Sequence, residues 1–434
     1  MIDEREAFFQ NLEGIFRGLS PLEPTYLLRK RAWDSFVEMG LPNRKEEAFQ
    51  YLPLRKLYEE KFSPCTAPVS QEEIAIVEPF SGSSLVFVNG VFRRDLSLTH
   101  NLPDNVVLLS LEEASSKFGT FLQNRFTKQC KEEKDPFAML NLSLYTGGAF
   151  LYVPPNVNCE VPVQVVHFIT GDGEKAPFIA PRLHVFLGSL SRLDVIVSLQ
   201  TKNAPHFWMN GFTDVAVEEG ASFSLTNASK IPESSWGFDA VRMSAKRDSR
   251  VKSVNLTNGA KTVRQSYHVF LTGENAEVEL KGLQLLKGNN QAHCHVVMQH
   301  EAPYCKSMQL FKSVLQDVSQ SSFEGKIFVQ KKAQKTEAYQ LNNNLLLGEF
   351  ALCNSKPNLE IYADDVKASH GATVGRLRDE ELFYLKTRGI SEEEAKSLLL
   401  FGFCQEIVQA IPHAFLQKNL LPFIQNSLKK SSYV

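Results

Sequence analysis

Hydrophobic positions recur at two different periods along this chain. Up to about residue 135 the period is mostly helical. Phe8, Phe9, Leu12, Ile15 and Phe16 return at three- and four-residue steps, as do Leu27, Leu28, Trp33, Phe36 and Val37. Gly40-Leu41-Pro42 breaks this pattern, and Asn43, with Glu46 three residues later, predicts a capped helix. Leu85 to Phe92 predicts a short hairpin, because Asn89-Gly90 suits a type I′ turn. The charged run Lys128 to Asp135, ending at Pro136, reads as a solvated boundary.

From about 140 to 370 the helical period nearly disappears, and short alternating strands replace it. Phe150-Leu151-Tyr152-Val153, Val163 to Val166, Leu193 to Val197 and Phe223-Ser224-Leu225 are examples. Many begin after a turn residue, such as Gly188, Gly220, Asp248 or Gly273. Their spacing is about 25 to 30 residues, the signature of a solenoid whose coils stack. The expectation is a mainly β fold: a right-handed parallel β-helix flanked by N- and C-terminal α-helical regions. A β-sandwich is the alternative on pattern alone. The chain divides into 1–135, mainly helical; 136–375, the β-helix core; and 376–434, helical again. In the last part Gly389 reads as the C′ glycine of one helix, and Ser391 and Glu394 as the capping box of the next. Leu398, Leu399, Phe401, Phe403 and Ile407 are expected to form the apolar face of that second helix. Both helical ends are expected to cover the open edges of the solenoid.

One stretch carries polar chemistry that a core does not need. Lys356 to Gly375 starts as a strand, with Leu359, Ile361 and Ala363 alternating against polar partners. It then runs into Asp364-Asp365, the lone imidazole of His370 and a predicted Gly371-Ala372-Thr373 turn. His370 could ligate iron as a neutral imidazole, or cap the helical region by a hydrogen bond. Asp364 and Asp365 could help bind iron, or hold the loop through charge-assisted hydrogen bonds. His293-Cys294-His295, with His300 and Cys305, is a second tempting group. On a strand, however, His293 and His295 share one face and Cys294 takes the other. Asn342-Asn343-Asn344 reads either as a stacked polar ladder or as a plain turn. Lys331, Lys332 and Lys335 form a small basic patch with a solvated reading.

Bulk composition narrows the field. Lys and Arg total 47 against 49 Asp and Glu, a net charge of −2, so no basic field invites nucleic acid. No apolar run approaches the roughly 20 residues that span a bilayer. The N-terminus is acidic and lacks the apolar stretch of a secretory signal. The seven cysteines, at 65, 130, 159, 294, 305, 353 and 404, are scattered and form no CxxC pair. That excludes a disulfide framework and a closed zinc knuckle, and makes the cytoplasm the expected compartment. No Walker A motif, Gly-x-Ser-x-Gly elbow, HExxH or dinucleotide fingerprint occurs, so no nucleotide-hydrolysis site is visible.

Several segments resemble the SufB/SufD family of iron–sulfur cluster assembly scaffolds. They are Pro42 to Tyr51, with Phe49 in the family's aromatic place; Gly148 to Pro154; Phe323 to Ile327; Ala333 to Gln340; the Lys356 to Gly375 stretch; and Phe383-Tyr384-Leu385 with Arg388 to Ala395. Together they run from 42 to about 408. SufB-type chains carry a cluster-building cysteine after the Phe-Tyr pair, where this chain has Leu385. Ser369-His370-Gly371-Ala372-Thr373 is similar instead to the SufD type, although many of those have a cysteine where Ala368 stands.

What the resemblance implies is a non-catalytic scaffold subunit. It would pair with a SufB-type subunit through the β core, with His370 the candidate metal ligand of a transient iron–sulfur cluster at that interface. It would dock a SufC-type ABC ATPase through Leu382, Phe383, Tyr384, Arg388 and Gly389. No tightly bound cofactor, membrane or nucleic acid enters this picture, and a homodimer is expected where the partner is absent. The alternatives are a SufB-like cluster-building subunit, which Leu385 disfavours; a β-helix carbohydrate-active enzyme, which lacks its secretion signal here; and a standalone metal protein built on the His293 region.

Overall fold

The computed structural model describes residues 3–64, 82–171 and 175–428. Cys65 lies outside these residues. Among the described residues, two mainly parallel sheets of eleven strands each face one another, and the chain alternates between them. In the first sheet Trp236 sits beside Thr262, Gln291 beside Gln320, and Gln320 beside Leu352. In the second the register runs Ser222, Arg250, Glu277, Lys306 and Glu337. These steps match the expected repeat, and the core is a parallel β-solenoid.

Stacking in register fixes what each coil must supply. Val269, Met298, Ile327 and Leu359 lie one above another on the inward face of the first sheet. They belong to the main apolar core, with Val278 and Leu280 across from them. The corners repeat as well. Leu190, Gly220, Asp248, Asn275, Tyr304 and Lys335 all have left-handed φ. Each donates its N–H to a carbonyl of the next coil: Gly220 to Arg247, Asp248 to Glu274, Asn275 to Pro303 and Tyr304 to Gln334. Only one of the six is glycine, so these corners accept a local steric cost of roughly 1–2 kcal/mol at most sites to keep the main-chain ladder continuous.

The first 135 residues contribute to both sheets. Ser83–Val88 pairs with Val163–Thr170 in the second sheet, and Val107–Ser110 with Gly147–Val153 in the first. Ser83–Val88 and Val91–Leu98 form the expected hairpin, with φ of 49° at Asn89 and 84° at Gly90. The helix expected after Asn43 is one 3-10 turn, Glu47–Phe49; before it the Asn43 N–H donates to Glu46 Oε1 at 3.0 Å and Asn43 Oδ1 accepts the Lys45 N–H at 2.9 Å.

The N-terminal helices lie on the outer face of the first sheet. Phe8, Trp33 and Phe137 pack there against Phe178, Trp208, Trp236 and Phe238. In the charged run before Pro136, Lys128, Lys131, Glu132 and Lys134 are solvated as expected, but Glu133 and Asp135 are not. Asp135 caps the buried helix Pro136–Leu144 through the Phe137 N–H at 3.0 Å and pairs with Arg264 at 2.6 Å. Glu133 takes both arms of Arg242 at 2.8 and 2.9 Å. The carboxylates face inward because guanidinium groups on the sheet meet them there.

The C-terminal helices do not cover the end of the solenoid. They lie along the flank of the second sheet, where Leu400, Cys404, Ile407, Val408, Ile411 and Leu416 pack on Ile196, Val254, Leu256, Leu283, Leu285 and Leu310. Lys312 donates to Phe403 O at 3.0 Å and to Glu406 at 2.7 Å. The buried face of Glu392–Val408 is therefore Ala395, Leu400, Cys404, Ile407 and Val408. Of the five expected residues only Ile407 is fully buried, and Leu398 is exposed. The apolar side chains surround this helix, so composition alone does not choose the buried stripe.

Arg264→Met should destabilise the protein by about 3–5 kcal/mol in chemical denaturation, because it strands the buried Asp135 carboxylate. Arg55, an exposed arginine paired with Glu4 and Glu59, mutated the same way should change stability by less than about 0.5 kcal/mol.

Candidate functional site: the open end of the solenoid

The last coil is built from Leu352–Ile361 in the first sheet and Val366–Gly375 in the second. Each is the end strand of its sheet, paired on one side only. Its outer row of N–H and C=O groups has no neighbouring strand, the arrangement that accepts a strand from another chain. Large apolar side chains crowd this end. Phe350, Leu352, Tyr362 and Val374 are all exposed by half or more.

His370 lies in the middle of the Val366–Gly375 strand, in register with Gln340. Gly371-Ala372-Thr373 continues that strand and is not a turn. The corner falls earlier, between Ile361 and Val366. Pairing with the facing strand keeps the segment extended where local composition suggests a bend. Val366 and Ala368 pack against the core, so alternation puts Ala368 and His370 on the same inward face. His370 is exposed there because no further coil covers it. Ala368 sits two residues away on that face.

Asp364 and Asp365 are not brought to His370. They occupy the corner, where Asp365 pairs with Lys335, receives Lys335 N–H on its carbonyl at 2.6 Å, and donates its own N–H to Gln334 at 3.0 Å. Asp365 holds the corner, and Lys335 is not simply solvated. Asn342-Asn343-Asn344 is strand and not turn. Asn342 and Asn344 face inward, with Asn344 Nδ2 donating to Asn342 Oδ1 at 2.7 Å, while Asn343 accepts from Thr373 on the outside at 2.9 Å.

The His293 group does not converge. His293 and His295 face outward beneath Glu47 to Leu52, and Cys294 is buried in the core. His293 Nδ1 meets Ser322 Oγ at 2.8 Å, His300 meets Ser307 at 2.9 Å, and Cys305 donates to Gly273 O at 3.2 Å. Burial pushes the Cys294 thiol above its ordinary range and the Cys305 thiol up to about 11, so neither is a ready thiolate. Among the described residues no group of three or more His, Cys, Asp or Glu could hold a metal ion.

The second candidate surface is helical. Asp379–Thr387 has no buried residue, and Phe383 is 70% exposed and Tyr384 57%. Arg388 stacks over the Tyr384 ring at 5.2 Å. Gly389 has φ of 82° and ends the helix, and the Ser391–Glu394 capping box starts the next, as expected. Leu382 and Leu385 are half-buried beneath, and exposed Leu398 adds to the apolar surface of the helical pair.

A model of the SUF system FeS cluster assembly SufBD core domain matches residues 168–403, and one of the SufBD protein N-terminal region matches 15–165. The chain belongs to the SufBD family of iron–sulfur cluster assembly proteins. This SufBD chain is 28% identical to an iron–sulfur cluster assembly SufBD family protein of Synechocystis, over 93% of its length and 91% of the relative's. It is 29% identical to the iron–sulfur cluster assembly protein SufD of Escherichia coli, over 90% of each chain. It is 28% identical to the SufD protein of Bacillus subtilis, over 77% of each.

What the sequence reading missed is Gln340, buried directly beside His370. Aligning the repeats shows it: Leu280, Gln309, Gln340 and His370 occupy one register row.

The buried imidazoles make stability depend on pH. Burial lowers His293 to about 3 and His295 to about 4, against an unfolded value near 6.5. Between those values the unfolded chain holds more protons, so stability falls as pH drops from about 6.5 toward 4. The loss approaches about 1.4 kcal/mol per pH unit per histidine. The urea midpoint should fall between pH 7.5 and 5, and His293→Gln should reduce that difference; an equal difference in the variant would contradict the assignment.

Proposed function

We propose that this SufBD chain is the SufD-type scaffold subunit of an iron–sulfur cluster assembly complex. The observation that carries the reading is the open end, a bare parallel edge that presents His370 from its last strand. A SufB-type subunit would dock there, edge to edge, and the cluster would form between the two chains as a transient cargo. His370 is the ligand this chain would contribute. Leu385, in place of a cluster-building thiol, supports the SufD type over the SufB type. In the absence of its partner the same edge would pair with a second copy of this chain.

A SufC-type ABC ATPase would dock on Phe383, Tyr384, Arg388 and Leu398. Leu382 and Gly389 shape that surface, one beneath the helix and one ending it. No described helix is long and apolar enough to cross a membrane. The chain itself would hydrolyse nothing; nucleotide-driven motion would come from the ATPase.

His370→Ala should leave the fold and complex formation in place, because the main-chain ladder to Thr336–Leu346 holds the last strand. Cluster assembly on the reconstituted complex should fall strongly. Assembly at the wild-type rate would make His370 structural.

Phe383→Asp combined with Leu398→Asp should abolish co-purification with the ATPase while leaving circular dichroism unchanged. Retained binding would move the ATPase site elsewhere.

A further inference from the structure

The inward row beneath His370 is polar where its neighbours are apolar. Gln340 Nε2 donates to Gln309 Oε1 at 3.0 Å, and both amides are almost fully buried. That bond places one of the two Gln340 Nε2 donors on the coil below. Its acceptor, Gln340 Oε1, is buried and has no hydrogen-bond partner. Across the interior, Gly325 leaves room for this amide: a Cβ there would lie 2.3 Å from Gln340 Nε2 and 2.7 Å from its Cδ. An unpartnered buried acceptor costs about 1–3 kcal/mol, so the fold keeps it at a price.

His370 is the next residue in the same row, one strand spacing of about 4.8 Å away. Its imidazole can supply the missing donor. We propose that Gln340 is a positioning residue for His370. Its Oε1 accepts the N–H of one ring nitrogen, which fixes the tautomer and turns the lone pair of the other nitrogen toward the partner chain. A ligating histidine ordinarily donates its second N–H to an oxygen in this way. The amide ladder from Gln309 through Gln340 anchors that oxygen in the rigid solenoid interior. This inference rests on the reading of His370 as the contributed ligand.

The test uses the full-length chain labelled with 15N-histidine, with His370→Ala to assign the resonance. In the wild type His370 should show one fixed tautomer. Gln340→Met, which removes the acceptor, should shift the ring nitrogens to the averaged values of a free imidazole. Gln340→Glu keeps an acceptor and should keep the fixed tautomer. Gly325→Ala provides a second route, since it displaces the amide without touching His370, and should shift the same signals. In the complex with a SufB-type subunit, Gln340→Met should weaken ferrous iron binding by about tenfold or more. Wild-type His370 resonances in both Gln340→Met and Gly325→Ala would overturn the proposal, as would unchanged iron affinity. If His370→Ala itself leaves cluster assembly intact, the site reading fails. If His370→Ala abolishes assembly while Gln340→Met changes neither signal nor affinity, only the Gln340 role fails.

Discussion

A parallel ladder cannot satisfy its own last strand. Every inner coil gives its main-chain groups to the coils on either side, and the left-handed corners keep that exchange in register. The stack must end somewhere, and the end bears a row of unpaired N–H and C=O groups. In this chain both helical regions go to the flanks. The N-terminal helices cover the outer face of the first sheet and the C-terminal helices the outer face of the second. The final coil is left bare, and the residues placed on it gain access to another molecule.

The flanking layers are held by different means, and that difference matters for the site. The N-terminal layer is locked by buried ion pairs, Arg264 with Asp135 and Arg242 with Glu133, together with a cluster of aromatic rings. The C-terminal layer is held by an apolar stripe and the contacts of Lys312. Its first helix, Asp379–Thr387, buries no residue at all. A surface so poorly packed on its own chain is suited to packing on another. The chain therefore offers two separate surfaces, a bare edge and an apolar helical pair, at the C-terminal end of its sequence.

Much of this was legible in the sequence, for identifiable reasons. The solenoid announced itself because a fixed repeat writes its strand spacing directly into the chain. The Asn89-Gly90 hairpin, Gly389 and the Ser391 capping box were read correctly because each depends on local chemistry. What failed depended on distant partners. The carboxylates of Glu133 and Asp135 look solvated until arginines about 110 to 130 residues away meet them. The buried stripe of Glu392–Val408 is chosen by the sheet and not by the helix. The Gly371-Ala372-Thr373 turn became strand because the Thr336–Leu346 strand holds it extended. Gln340 beside His370 required the register, which a single strand does not disclose.

The central claim is that the bare edge of the last coil accepts a partner strand. Amide hydrogen exchange across Val366–Gly375 measures this directly, with and without a SufB-type subunit. In the isolated chain the outward-pointing amides of this strand should exchange rapidly, while those bonded to Thr336–Leu346 exchange slowly. On complex formation the fast set should become protected. A stable complex in which these amides stay fast would contradict the account and place the interface on another face.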